Sequence, residues 1–310
     1  MNIVYCFNDN KNKEDTEQIK LLFTSLLSLI INNINITVYI IYLDFNKKNL
    51  KLFNTFFKDN LSNIHLIKFP KKYYNELNFM IEQSIPTNKW TFLRLFIWEL
   101  LPISIKKIIY LDTDTIINKP LIDLYNKNFN WKYLQVVLDN NKLFSIKKEK
   151  ELNLIKNTYF NAGIIFFNLE IIRNNLLQKS LEVFKKHKNL FADQDALNII
   201  YNKSIQLISN NYNCIVNEEY YKKAIIIHYA ARWKILKIRP AIIHKKYKNL
   251  YWNFLDKTPF KWYRPRIKLL HLLTYVIYKL IPKSVLLKLN NLHYYKKIMN
   301  YISKLILSQK

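Results

Sequence analysis

Four short apolar runs rich in β-branched and aromatic side chains open the chain: NIVYCF (2–7), ITVYIIYL (36–43), IHLIKF (64–69) and KKIIYLDTD (106–114). Between them lie segments whose apolar residues recur at helical spacing: IKLLFTSLLSLI (19–30), NLKLFNTFF (49–57) and TFLRLFIWELL (91–101), the last stopped by Pro102. This β-α-β-α order constrains the fold more than any other feature. Strands joined by helices pair in parallel and are covered on both faces, and strands covered on both faces read as continuously apolar rather than alternating. The expectation is an α/β chain with a mostly parallel, doubly wound sheet flanked by helices. Strands are also expected at 134–140, 159–168, 205–209 and 224–230, and a helix at 195–201. Such sheets gather ligands beyond the carboxyl ends of their strands. Asp9 with Asn10, Asp44, and Asp112 with Asp114 all fall there.

The chain has 310 residues and a single glycine, Gly163. Neither a GxGxxG dinucleotide loop nor a GxxxxGK[ST] phosphate loop can be built with one glycine. The formal charge is +27, a field that attracts polyanions such as nucleic acid, anionic lipid or phosphorylated sugars. It is unevenly spread. Asp256 is the last acid, and twelve lysines and arginines follow it. The segments 265–282 and 284–307 mix these cations with Leu, Ile and Tyr at helical spacing, the pattern of helices lying in a membrane interface. The alternative is a helical pair docked on the core with its lysines in water. The expected division is an α/β domain over 1–255 and a basic amphipathic, membrane-associating tail over 256–310. Cys6 and Cys214 have no metal-ligand spacing and are expected as buried thiols. The N-terminus lacks a basic lead and meets an acid at Asp9, unlike a signal peptide. No run of about 18 uncharged apolar residues marks a membrane span. The expected location is cytoplasmic, peripheral on the inner face of the cell membrane.

Asp112 and Asp114, two apart at the end of an apolar run, can turn toward one side if the strand alternation continues. Acids in such surroundings are costly unless paired, and a hard divalent cation bearing a diphosphate satisfies them. Taken alone, such a pair also caps helices or sits in turns. FNAGIIFFN (160–168) holds the one glycine, which suggests a close backbone approach or a special φ. ADQDALN (192–198) places acids and a glutamine at a helix start, where an N-cap role competes with a ligand role. IIIHYAARWK (225–234) ends an apolar run on His228 and then offers Arg232 and Lys234. An imidazole joining two carboxylates suits Mn²⁺, with Mg²⁺ as the alternative ion.

The ordered set FLRLFIWELLP…IIYLDTDTII, FNAGIIFFNLEIIR, DQDALN and HYAARWK resembles family 8 of the retaining glycosyltransferases over about residues 1–236, and is most similar to bacterial enzymes that add galactose or glucose to lipopolysaccharide. The resemblance implies a GT-A fold, a UDP-sugar donor and a glycan or glycolipid acceptor. It implies that Asp112, Asp114 and His228 hold manganese, and that Asn8 and Asn10 meet uridine. Arg94, Thr113, Asn161, Ala162 and Gly163 line the donor, and Lys234 clamps the diphosphate. Asp193 and Gln194 surround the transferred hexose, with Gln194 facing the anomeric carbon, and Asp139 falls at a position associated with the acceptor. The chain departs from the family pattern at Asn8, where relatives often carry an acid, at Ala231, where they carry glycine, and at ILKIRP after Lys234.

An amide is a feeble nucleophile, so the implied retaining chemistry favours front-face attack by the acceptor hydroxyl, with Gln194 orienting. Double displacement would require a carboxylate, and Asp193 is the nearest. Two other classes compete. IIYLDTDT also resembles the nucleophile loop of haloacid-dehalogenase-type phosphatases, but that fold places the loop on its first strand, and here two βα units precede it. A non-enzymatic nucleic-acid binder fits the net charge. It does not fit the acids clustered at strand ends, where a phosphate-tracking groove needs lysines.

Overall fold

The computed structural model describes residues 1–9, 16–85, 87–172, 175–216, 221–230, 235–236 and 243–264. The expected tail helices, and Asn10, Ala231, Arg232 and Lys234, lie outside the described residues. In chain order the main elements are β1 (Asn2–Phe7), α1 (Glu17–Asn32), β2 (Thr37–Tyr42), α2 (Lys47–Phe56), β3 (Ile64–Lys68), α3 (Tyr74–Glu82) and α4 (Ile97–Leu100). There follow β4 (Lys107–Leu111), β5 (Thr115–Ile117), α5 (Ile122–Tyr125), β6 (Leu134–Leu138), α6 (Lys142–Glu151) and β7 (Phe160–Asn168). The last are α7 (Leu169–Ile172), α8 (Leu176–Lys186), α9 (Ala192–Tyr201), β8 (Ile205–Leu207), β9 (Cys214–Ile215), β10 (Ile226–His228) and α10 (Lys245–Leu255).

Seven strands form one sheet in the order β3-β2-β1-β4-β7-β6-β8, and β5-β10-β9 form a second, smaller sheet. The expected α/β architecture is present. The β1–β2, β2–β3, β1–β4 and β6–β8 pairs are parallel. β7 instead runs antiparallel to both of its neighbours, pairing Leu111 with Ile164 and Val136 with Ile165. A strand that is apolar on both faces reads the same in either direction, so its sense is invisible in the sequence. The faces separate cleanly. Ile3, Tyr5, Phe7, Ile109 and Leu111 pack with Phe23, Phe53 and Tyr251 on one side. Val4, Cys6, Ile108 and Tyr110 pack with Phe92, Phe96 and Phe184 on the other.

Local chemistry sets the loops. Thr16 caps α1 by accepting from the Ile19 N–H, and its hydroxyl donates to Asp9 Oδ1 at 2.8 Å. Asp9 Oδ2 accepts from the Asn46 N–H and from Asn49 Nδ2 at the start of α2. Asp9 is buried and fastens the β1 loop to two helix starts. The expected helix at 91–101 is a 3₁₀ run, Lys89–Phe96, continued by α4. Cys6 is buried, but Cys214 is only partly so, with its Sγ 3.3 Å from the Tyr247 hydroxyl. The residues that open the basic segment pack on the core: Phe260 is buried with its ring 5.2 Å from that of Phe23, and Lys20 lies over the rings of Phe260 and Tyr263. Among the described residues, no helix is long and apolar enough to cross a membrane.

Candidate metal centre and donor site

β4 ends at Leu111, so the two acids lie on a turn and not on the strand end that the sequence suggested. The turn passes from the large sheet into the small one and is held at both ends. The Asp112 N–H donates to the Gly163 carbonyl of β7 at 2.8 Å, and the Tyr229 N–H donates to the Asp114 carbonyl at 2.8 Å. Thr115 Oγ1 closes the turn onto the Asp112 carbonyl, with Thr113 buried between the acids. His228 arrives on β10, where it pairs with Thr115 on one side and Ile215 on the other.

These constraints bring three donors together. His228 Nε2 lies 3.2 Å from Asp114 Oδ1 and 3.7 Å from Asp112 Oδ2, and one ligand atom from each residue falls within 4.8 Å of the others. Two carboxylates and an imidazole suit Mn²⁺ or a similar divalent cation. The one glycine has its explanation here. A Cβ on Gly163 would stand 2.1 Å from His228 Cε1, so only glycine leaves room for the ring. Gly163 has no positive φ. The close approach that the sequence suggested is therefore to the imidazole, and a special backbone conformation plays no part.

Arg94 organises the wall beside this cluster. Its Nη2 meets Asp112 Oδ1 at 2.9 Å, and Nη1 donates to the Ala162 carbonyl. Nε–H donates to the Thr91 carbonyl at 3.0 Å, while Asp193 Oδ2 pairs with the same nitrogen at 2.9 Å as an ion pair without hydrogen-bond alignment. Tyr110 presents its ring to the guanidinium and its hydroxyl to Asp112 Oδ1 at 2.6 Å. Burial favours deprotonation of Arg94, but Asp112 and Asp193 outweigh it and push the guanidinium above its ordinary range. Burial raises the Asp193 carboxyl to about 6, against the opposing pull of Arg94. Burial likewise raises the Tyr110 hydroxyl.

On the far side, the Gln194 carbonyl accepts from the Ala162 N–H at 3.0 Å. Its amide nitrogen faces the Tyr159 hydroxyl at 3.2 Å and Asp139 Oδ2 at 3.5 Å. Tyr159 in turn donates to Asp195 Oδ1 at 2.6 Å, and Lys148 pairs with Asp195 Oδ2 at 2.8 Å. Burial, together with the charge of Asp195, raises the Tyr159 hydroxyl. Asn161 Nδ2 lies 3.4 Å from both Asp139 and Gln194.

The structure thus assembles Asp112, Thr113, Asp114, His228, Arg94, Asp193, Gln194, Asn161, Ala162, Gly163 and Asp139 along one end of the sheet. Asn8 lies in the loop after β1, the parallel neighbour of β4, where its Oδ1 accepts from the Asp44 N–H at 3.0 Å. Three residues escaped the sequence reading. Tyr110 was recoverable, since strand alternation puts it on the side of Asp112. Tyr159 and Asn213, whose side chain faces His228 Nδ1 at 2.9 Å, carried no signal: one sits in an apolar run, the other in an asparagine-rich loop.

A family model described as glycosyl transferase family 8 matches residues 2–235. The chain belongs to this family. A Haemophilus influenzae protein whose name provisionally makes it a glycosyltransferase is 35% identical over 116 residues, 36% of this chain and 34% of that protein. An Escherichia coli lipopolysaccharide 1,2-glucosyltransferase is 27% identical over 195 residues, 53% of this chain and 57% of the relative. The matched stretches thus span between a third and just over half of these two relatives. The crystal structure of the galactosyltransferase LgtC with donor and acceptor sugar analogues superposes with a TM-score of 0.70 at 15% identity, covering 84% of this chain and 96% of that one. This likeness places the family 8 chain in the same fold, the GT-A glycosyltransferase architecture.

Proposed function

We propose that the chain is a retaining hexosyltransferase that moves galactose or glucose from a UDP-sugar to a lipopolysaccharide or lipooligosaccharide acceptor, with Mn²⁺ as its cofactor. The observation that carries this reading is the Asp112–Asp114–His228 cluster, seated on the only glycine of a family 8 chain. The acceptor class rests on the names of the relatives. In this reading the basic segment 256–310 holds the enzyme on the inner face of the membrane, and Asn8, Asn10 and Lys234 contact the nucleotide.

Asp112 through Oδ2, Asp114 and His228 through Nε2 would hold the ion, since Asp112 Oδ1 already accepts from Tyr110 and Arg94. A bound Mn²⁺ would neutralise the diphosphate as the glycosidic bond breaks, the electrostatic part of catalysis. The protein's own groups do the positioning. Arg94 ties Asp112 to Asp193 and to the Ala162 carbonyl, so the metal turn is fastened to the β7 segment expected to line the sugar. The Gln194 oxygen is engaged by the Ala162 N–H, which supports an orienting role for this amide over a nucleophilic one. Asp193 is buried behind Arg94, a poor placement for covalent attack, and this favours front-face reaction of the acceptor hydroxyl. Asp139, half-buried beside Gln194, is available to orient that hydroxyl.

The test is release of UDP from a panel of UDP-hexoses with Mn²⁺, with and without EDTA. The reading expects one hexose to be turned over and EDTA to stop it. Absence of turnover of every UDP-hexose, or turnover indifferent to EDTA, would sink it.

A further inference from the structure

A metal-binding imidazole must offer a bare nitrogen, and the group on its other nitrogen decides which one that is. In this protein the decision can be traced to a backbone amide. The Gly163 N–H, which can only donate, lies 3.0 Å from one end of the Asn161 side-chain amide. That end is therefore the carbonyl oxygen. The same oxygen lies 2.9 Å from the Asn213 side chain, so the Asn213 atom facing it is the NH₂ group. The other end of Asn213 is then its carbonyl oxygen, and it sits 2.9 Å from His228 Nδ1. An acceptor there requires Nδ1 to carry the proton. Nε2 is left as the nitrogen whose proton a bound cation would replace, on the side facing Asp112 and Asp114. Turning either amide over would set oxygen against oxygen or N–H against N–H. Asn213 is buried, so water does not readily replace the lost partner.

We propose that Asn213 is a positioning residue that holds His228 in the Nδ1–H tautomer, with Asn161 fixing which way the Asn213 amide points. The inference deepens the metal reading above and rests on it. β7 acts on the centre three times: through the Gly163 carbonyl on Asp112, through the missing Cβ under the imidazole, and through Asn161 by way of Asn213.

The experiment compares wild type, Asn213→Leu and Asn213→Asp. Mn²⁺ affinity is measured by titration calorimetry of the full chain without nucleotide. The His228 tautomer is read from ¹⁵N imidazole correlations of the metal-free protein, assigned by the resonance missing in His228→Gln. Leucine removes the acceptor and is expected to weaken Mn²⁺ binding about 10–100-fold. Aspartate keeps an acceptor for Nδ1–H but sets its second oxygen against the Asn161 oxygen, so it is expected to bind more weakly than wild type and at least about threefold more tightly than leucine, an outcome that separates tautomer control from packing. The wild-type spectrum should show Nδ1–H. A wild-type Nδ1 without a proton, undiminished affinity in N213L, or an N213D protein that folds yet binds as weakly as N213L would each overturn the proposal. A wild-type protein that binds no Mn²⁺ would instead overturn the metal reading beneath it.

Discussion

Gly163→Ala adds one methyl at the point where the backbone of β7 touches the imidazole. The new Cβ would lie 2.1 Å from His228 Cε1 and 2.9 Å from both ring nitrogens. Carbon atoms rest about 3.5–4.0 Å apart, so the ring must retreat by roughly 1.5 Å. The His228 backbone resists this, because β10 is paired on both sides and the side chain is almost fully buried. Metal–ligand distances tolerate only about ±0.2 Å, so a displacement of this size removes the imidazole from the ion. The expected loss in Mn²⁺ affinity is at least about 100-fold, the upper end of what supporting-residue changes produce. Stability should change less. Overpacking costs about 1–3 kcal/mol, and the stiffer unfolded chain returns about 0.4–1 kcal/mol because the site needs no positive φ. The assay is paired: Mn²⁺ titration by calorimetry and urea unfolding on the same preparation. A folded G163A protein with wild-type Mn²⁺ affinity would refute the reasoning.

Three further outcomes follow from the same contacts. Arg94→Met leaves Asp112 and the buried Asp193 without their shared cation and should cost about 3–5 kcal/mol in urea unfolding; a loss below about 1 kcal/mol would mean that the pair contributes little. Asp193 has its folded-state carboxyl raised to about 6 from an ordinary 3.8. Between these values the folded state holds a proton that the unfolded state releases, so its contribution to stability falls as pH rises and the penalty is complete above about 6. The stability of wild type relative to Asp193→Asn should therefore drop by about 2 kcal/mol from pH 4 to pH 6.5, and a gap that stays constant across that range would contradict the burial argument. Phe260→Ala removes a buried ring packed on Phe23 and Lys20 and should cost about 3–5 kcal/mol by denaturant titration; a surface-like change under 0.5 kcal/mol would show that this segment is not part of the folded body.

Much of the fold is legible because periodicity reports burial. The runs at 2–7, 36–43 and 64–69 announce three parallel strands, and the acids after Leu111 mark the functional end of the sheet. The antiparallel sense of β7 is not legible, since an apolar strand carries no direction. Strands as short as Cys214–Ile215 and Thr115–Ile117 fall below the length at which a period can be seen. Asp112, Asp114 and His228 stand out as polar groups ending apolar runs. The reason for Gly163 does not, because its partner is an imidazole 65 residues further along the chain. Asn213 is hidden for a different reason: in an asparagine-rich chain one more asparagine in a loop carries no information, and only the geometry shows it beneath His228.

The most direct measurement is anomalous diffraction at the manganese edge from crystals soaked with Mn²⁺ and UDP. The account predicts one strong peak within bonding distance of Asp112, Asp114 and His228 Nε2, with density for a diphosphate against it. Ordered diphosphate without manganese at these three residues, or manganese bound at another place, would contradict it.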